Sequence, residues 1–457
     1  MSSKNIQFTS LGSVGEVGAS AHLLTIDGFH ILLDCGMHPS KEGPDKLPDF
    51  SMLSKAPDAV IISHSHIDHC GSLPHMATLF PGVPVYCTPP TLRIMDRMLH
   101  NCVSVMGKIR DERDVPEYPL YSHIDVENII KRVYPITICK EFAIHPDSNI
   151  RITFSHAGHV LGSASVLIES PNHTVFYTAD ICTVDQELME AYRPPKNPEK
   201  IDTLIVESTY GATENADQIL FENEVERFGS SIAEVLTDGG VALIPSFALG
   251  RAQEILNIVT RLQEEGTIPW VPIYASGLGR AVYEIYDDFF DDLKPTAELS
   301  PLDEFLNVGN VWKPDVARRL IQEPSIIVAT SGMMLENTPS AMIAQHMVRE
   351  THHGIFFVGY CAEDTVGAAL KEAKVGDQLV FELEGEPVHI ALNNIQSFHF
   401  SAHANREELS DVIDAIPSKN VIYVHGDPPA LEWMEYNTAK GRNKYVPAIG
   451  QTILLEG

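Results

Sequence analysis

The stretch AVIISHSHIDHCGSLPHM (residues 59–76) runs an apolar, β-branched segment straight into His64, His66, Asp68 and His69. A segment of this kind reads as a buried strand. Three imidazoles and a carboxylate crowded where it ends ask for a cation. His64 and His66, two residues apart on a loop, can turn to one side and share an ion. Asp68 and His69, opening the following helix, reach a second. By contrast His30, His38, His100 and His123 stand alone in their segments and read as ordinary core or surface residues.

Other apolar runs finish in the same way. FHILLDCG (29–36) ends at Asp34, TVFYTAD (174–180) at Asp180, DTLIVES (202–208) at Glu207 and NVIYVHG (420–426) at His425, while His159 follows RITFSH (151–156). Functional groups of α/β sheets gather at the carboxyl ends of strands, where the following loops share a rim. Mixed His and carboxylate sets suit Zn²⁺, and a catalytic site keeps one position open for water. Asp180 is the candidate bridge between two ions, with His159 completing the first and His425 the second.

From residue 211 the pattern becomes alternating strands and helices, with GVALIPSF, VPIYAS, SIIVATSG and GIFFVGY as the strands. That alternation implies a mostly parallel sheet covered on both faces. The first texture returns near 395, so we expect a domain over 1–210, an inserted α/β domain over 211–395 and a return to the first domain over 396–457.

The 457 residues carry 62 acidic against 32 Lys and Arg, a formal charge of −30. A general polyanion binder shows the opposite balance, so any nucleic acid would be held by a local groove or by metal. The seven cysteines are scattered and form no C-x-x-C pair, which argues for a reducing compartment. The opening MSSKNIQFTS has no signal-peptide pattern, and no apolar run reaches the roughly 18–20 residues that cross a membrane. We therefore expect a cytoplasmic protein without a membrane partner. GSVGEVG (12–18) lacks the G-x-G-x-x-G spacing and reads as a tight turn between strands near the metal rim.

These motifs together resemble the metallo-β-lactamase superfamily, and the inserted domain resembles its β-CASP branch of RNA-processing and DNA-repair nucleases. LLDCG, HSHIDHCGSLP, HAGHVLGS, YTAD, LIVESTYG, HFSAH and YVHGD carry the resemblance in the first domain. PSFALGRAQEIL, ATSGMM and GYCAEDTVG carry it in the second. The resemblance implies an α/β fold, an αββα sandwich with an inserted β-CASP domain. It also implies two Zn²⁺ per chain, with Mn²⁺ or Fe²⁺ as substitutes, held by His64, His66, Asp68, His69, His159, Asp180 and His425. Asp34 would orient ligands. A metal-bridging hydroxide would attack phosphorus, and His403, held by Glu207, would protonate the leaving oxygen; Asp68 joins this catalytic set. The implied activity is that of a ribonuclease, endo- or 5′-exonucleolytic, on single-stranded RNA. DNA or a small ester or thioester is the alternative substrate, and a homodimer is compatible with the family.

The chain departs from the family pattern in the second domain. Leu335, Glu336 and Asn337 follow Met334 where a Gly-rich turn is usual, and Asp364 replaces a Gly in AEDT. We expect no KH-type segment before the core and no separate domain after it, which leaves the grip on substrate to the cleft. Arg251, Ser331 and Lys371 are the candidate phosphate-binding residues, with Arg280, Lys374, Arg442 and Lys444 as weaker candidates. Arg251 leads because it opens a helix, and a helix N-terminus attracts phosphate.

Overall fold

The computed structural model describes residues 6–455 except 114, 147, 214–219, 362–364, 382–384 and 386. The chain divides into two compact units. The first comprises Met1–Val184, Glu190–Asp217 and His403–Gly457; the second comprises Asp185–Met189 and Gln218–Ala402. The expected return at 396 falls inside the strand Asn394–Ser397, which pairs with Gly354–Phe357 in the second unit.

The first unit contains two seven-stranded sheets. In one, Ile6–Gly12, Ala21–Ile26 and Phe29–Leu33 form an antiparallel meander, with Thr452–Leu455 added along the free edge of Ile6–Gly12. Ala59–Ile61, Val85–Cys87 and Val133–Pro135 extend it in parallel. In the other, Arg151–His156, Ala164–Glu169 and Thr174–Tyr177 are antiparallel neighbours, and Thr203–Glu207 and Asn420–Val424 follow in parallel. One apolar cluster joins the two sheets: Ile31 and Ile61 from the first pack with Phe154, Val175 and Ile205 from the second. The opposite faces are covered by helices. Leu73, Met95, Leu99 and Val126 cover one, and Leu409, Ile413, Leu431 and Met434 the other. The result is helix, sheet, sheet, helix, as the family resemblance implied.

The second unit is a six-stranded, all-parallel sheet in the order Phe305–Asn307, Ile273–Ala275, Ser325–Ala329, Val241–Pro245, Gly354–Phe357, Asn394–Ser397. Its central strands are apolar without alternation, because helices bury both faces. Phe228, Ile255 and Tyr283 pack on one side, Ala317, Ile343 and Leu370 on the other. Among the described residues no helix is long and apolar enough to cross a membrane.

Candidate metal centre

His64 and His66 follow the strand Ala59–Ile61, and Asp68 and His69 lie in the four-residue helix Ile67–Cys70. His159, Asp180 and His425 each follow a strand of the other sheet, Arg151–His156, Thr174–Tyr177 and Asn420–Val424. The loops at these strand ends make tight reversals: Asp34, Ala179 and His425 take φ of 60°, 52° and 53°, in the left-handed region. GSVGEVG lies at the same rim, where Ser13 O accepts the His425 N–H at 3.2 Å and Glu16 bridges Gly426.

All seven expected ligands converge. His66 Nδ1 is 3.1 Å from His64 Nε2 and 3.0 Å from His159 Nε2. On the other side, Asp68 Oδ2 is 3.6 Å from His69 Nε2 and 3.3 Å from His425 Nε2. Asp180 joins the two groups. Its Oδ2 lies 3.7 Å from His64 Nε2, 3.9 Å from His159 Nε2 and 3.2 Å from His69 Nε2, and its Oδ1 lies 3.2 Å from His425 Nδ1. His64, His69, His159, Asp180 and His425 are buried.

The chemistry of these atoms fits a cation. Asp34 Oδ2 accepts from His69 Nδ1 at 2.8 Å, so the His69 Nε2 lone pair faces Asp180 and Asp68. Both His69 Nε2 and Asp180 Oδ1 are buried and find no hydrogen-bond partner among the described residues. Electron pairs turned toward one another at this spacing repel unless positive charge sits among them. The pKa directions agree. Burial would lower the His69 pKa, yet Asp180, Asp68 and Asp34 hold it well above its ordinary value. Burial would raise Asp180 and Asp68, yet the surrounding imidazoles, His425 and His69 foremost, hold both below the usual carboxylate range. His64 is pushed the other way, downward, by burial and by His69.

Beside this cluster, Glu207 Oε1 accepts the Ile181 N–H at 2.7 Å, and its Oε2 lies 3.1 Å from His403 Nδ1. Burial would lower the His403 pKa, but Glu207 raises it to about 9. The His403 ring sits 4.5 Å from that of His159 and 6.5 Å from that of His425.

Over residues 23–208 the chain matches the metallo-beta-lactamase superfamily domain, over 252–370 the Beta-Casp domain, and over 387–447 the Zn-dependent metallo-hydrolase RNA specificity domain. It is 30% identical to an RNase J-like protein of Methanocaldococcus jannaschii, over 91% of each chain. The chain belongs to the metallo-beta-lactamase superfamily, in its Beta-Casp branch. This Beta-Casp chain is also 32% identical to transcription termination factor FttA of Pyrococcus horikoshii, covering 93% of itself and 67% of that protein. It is 30% identical to cleavage and polyadenylation specificity factor 73 of Drosophila melanogaster, covering 92% of itself and 60% of that protein. The fold also matches a solved structure, a protein of unknown function from Enterococcus faecalis V583, with a TM-score of 0.59 at 14% identity over 99% of this chain.

The three leading phosphate-binding candidates, Arg251, Ser331 and Lys371, lie in the second unit. Arg251 is buried at the start of the helix Arg251–Glu264, where the Gly250 N–H already meets Gln253 Oε1 at 2.8 Å and the Ala252 N–H meets Phe247 O at 3.1 Å. Ser331 Oγ accepts the Leu335 N–H at 3.0 Å. Lys371 donates to Gly359 O at 3.1 Å and lies 5.0 Å from the centre of the Phe357 ring. Arg280 donates to Leu302 O at 3.2 Å. In the first unit, Arg442 donates to the carbonyls of Ile413 and Ile416, both at 2.8 Å, and Lys444 to that of Glu435. Lys374 is exposed. The altered SGMMLEN turn places Met334 at φ 50° and Asn337 at φ 60°, left-handed conformations in which the usual glycines would be unstrained. Asp364 lies outside the described residues.

Sequence reasoning missed Ser63, Tyr177 and Thr209. Each stands one to three residues from a motif residue, but nothing in the linear spacing shows which neighbour it touches. Thr209 Oγ1 lies 3.2 Å from His425 Nδ1.

Proposed function

We propose that this chain is a two-metal phosphodiesterase that hydrolyses RNA in the cytoplasm, with Zn²⁺ as the metal and Mn²⁺ or Fe²⁺ as substitutes. The observation that carries the reading is Asp180 lying between two three-residue groups, with the Glu207–His403 pair alongside. His64, His66 and His159 would hold one ion and Asp68, His69 and His425 the other, with Asp180 shared. When bound, such a metal pair supplies an activated water and positive charge for the phosphate oxygens.

The protein's own groups account for the remaining chemistry. Asp34 fixes the His69 tautomer, as the other ring nitrogen of a ligating histidine requires. Glu207, itself held by the Ile181 N–H, orients His403 and keeps it protonated near neutral pH. His403 can then give its Nε2 proton to the departing 3′ oxygen, the usual duty of a general acid. The RNA assignment is supported by the match to an RNA specificity domain and by relatives named as RNA-cleaving or RNA-processing factors. Single-stranded RNA is the expected form of substrate, and a homodimer the expected alternative to a monomer.

The test is incubation of metal-loaded protein with end-labelled single-stranded RNA and DNA, each with a 5′ phosphate or a 5′ hydroxyl. Shortening of RNA, abolished by chelator, is the expected result. Cleavage of DNA alone, or of neither polymer while a thioester is hydrolysed, would overturn the reading.

A further inference from the structure

The Asp34 carboxylate accepts from four donors. Its Oδ1 accepts the Ser63 N–H at 2.7 Å. Its Oδ2 accepts from Ser63 Oγ, His69 Nδ1 and Tyr177 OH, each at 2.8 Å. Asp34, Ser63 and His69 are fully buried, and Tyr177 is 2% exposed. Ser63 Oγ has a second neighbour, His64 Nδ1, at 3.1 Å.

A hydroxyl has one proton to give and lone pairs to receive with. The Asp34 carboxylate can only accept, so the Ser63 proton goes to Asp34. Ser63 Oγ must then accept from His64, which places the His64 proton on Nδ1 and leaves the Nε2 lone pair facing His66 and Asp180. On the other branch, His69 gives its Nδ1 proton directly to Asp34 and turns its own Nε2 lone pair to Asp180 and Asp68. A single buried carboxylate therefore sets one histidine in each half of the cluster, one of them through Ser63. Tyr177, at the end of the strand Thr174–Tyr177 in the opposite sheet, pins that carboxylate from across the sandwich.

We infer that Ser63 and Tyr177 are positioning residues for the metal centre, acting through Asp34 to fix the tautomers of His64 and His69. The inference rests on the metal reading of the cluster. It goes beyond it by assigning roles to two residues that touch no ion, and by tying both halves of the centre to one hub. Outer partners of ligating histidines are generally worth about 10–100-fold in metal affinity. Ser63→Ala removes the acceptor for His64 while leaving the backbone N–H to Asp34. Tyr177→Phe removes only a hydroxyl.

The experiment measures metal stoichiometry and dissociation constants by competition with a chromophoric chelator for wild type, Ser63→Ala and Tyr177→Phe. Unfolding midpoints of the metal-free proteins are recorded alongside. Wild-type stoichiometry tests the metal reading by itself: fewer than two ions would count against that reading and leave the positioning roles without a centre to position. Given two ions, we expect Ser63→Ala to weaken one of them about tenfold or more, with the metal-free midpoint moved little. Tyr177→Phe should weaken binding in the same direction, and Ser63→Thr, which restores a hydroxyl, should recover part of the loss. Metal affinities within about twofold of wild type in both Ser63→Ala and Tyr177→Phe would overturn the inference, whatever happens to turnover. Should either variant fail to fold, the ¹⁵N shifts of the His64 and His69 rings in the Zn²⁺-loaded wild type decide. Protons on Nδ1 of both support the inference, and a proton on Nε2 of His64 refutes it.

Discussion

Glu207 and His403 are 196 residues apart in sequence and 3.1 Å apart in space, a buried carboxylate turned to an imidazole that is only partly exposed. The pair sits beside the candidate metal cluster without belonging to either of its three-residue groups. This separation gives it a distinct experimental signature. His403→Ala should lower kcat by about 10²–10⁴-fold, the usual worth of a positioned acid, while metal content measured by elemental analysis stays at the wild-type value. Loss of metal along with activity would instead make His403 a ligand.

Substitution within the cluster should behave oppositely. Asp68→Ala and His69→Ala are each expected to abolish RNA cleavage and to lower bound metal, with far-ultraviolet circular dichroism unchanged. Undiminished cleavage by either variant would remove the two-metal mechanism.

Metal removal should also cost stability. A ligand at a thousandfold its dissociation constant stabilises the native state by about 4 kcal/mol. Chelation followed by calorimetry should therefore lower the unfolding midpoint by several degrees, and Zn²⁺ should restore it. An identical midpoint with and without metal would contradict a structural contribution from the centre.

In the second unit, burial raises the Glu254 pKa to about 7, against the pull of Arg251 and of the Leu188 N–H. A carboxyl whose folded pKa is raised binds more protons when native than when unfolded. Its contribution to stability is complete below the ordinary carboxylate pKa and is lost as pH rises toward and through 7. Unfolding midpoints of Glu254→Gln between pH 5 and 8 should therefore show a shallower decline than wild type. A steeper decline would reverse the assignment.

Phe228 is fully buried and meets Phe356, Phe398 and Phe400 edge to face at 6.3, 5.0 and 5.2 Å. Phe228→Ala should destabilise by about 3–5 kcal/mol, the usual cost of emptying such a site, measured by denaturant titration. A change below about 1 kcal/mol would mean that the surrounding rings close the cavity.

Much of this protein is legible in its linear sequence. H-x-H-x-D-H behind an apolar β-branched run declares a metal site, because few other chemistries crowd imidazoles there. The strand–helix alternation after 211 declares a parallel sheet, because parallel neighbours need crossovers between them. The candidate basic residues were harder to read. Arg442 and Lys444 look like substrate contacts in KGRNKY, yet both donate to backbone carbonyls, two of them at the end of the helix Arg406–Ala415. A cation's sequence position does not reveal which unsatisfied carbonyls the fold brings to it.

The sequence by itself determined which residues could hold a metal and that an α/β frame would carry them. Those properties follow from side-chain chemistry and from local hydrophobic period. Only the tertiary structure decided that Asp180 lies between the two groups, and that Asp34, Ser63 and Tyr177 form one buried hub behind them. Asp34 and Tyr177 come from facing sheets and lie 143 residues apart. Hydrogen-bond direction depends on atoms meeting within about 3 Å, a condition set by how the two sheets pack rather than by the order of residues along the chain.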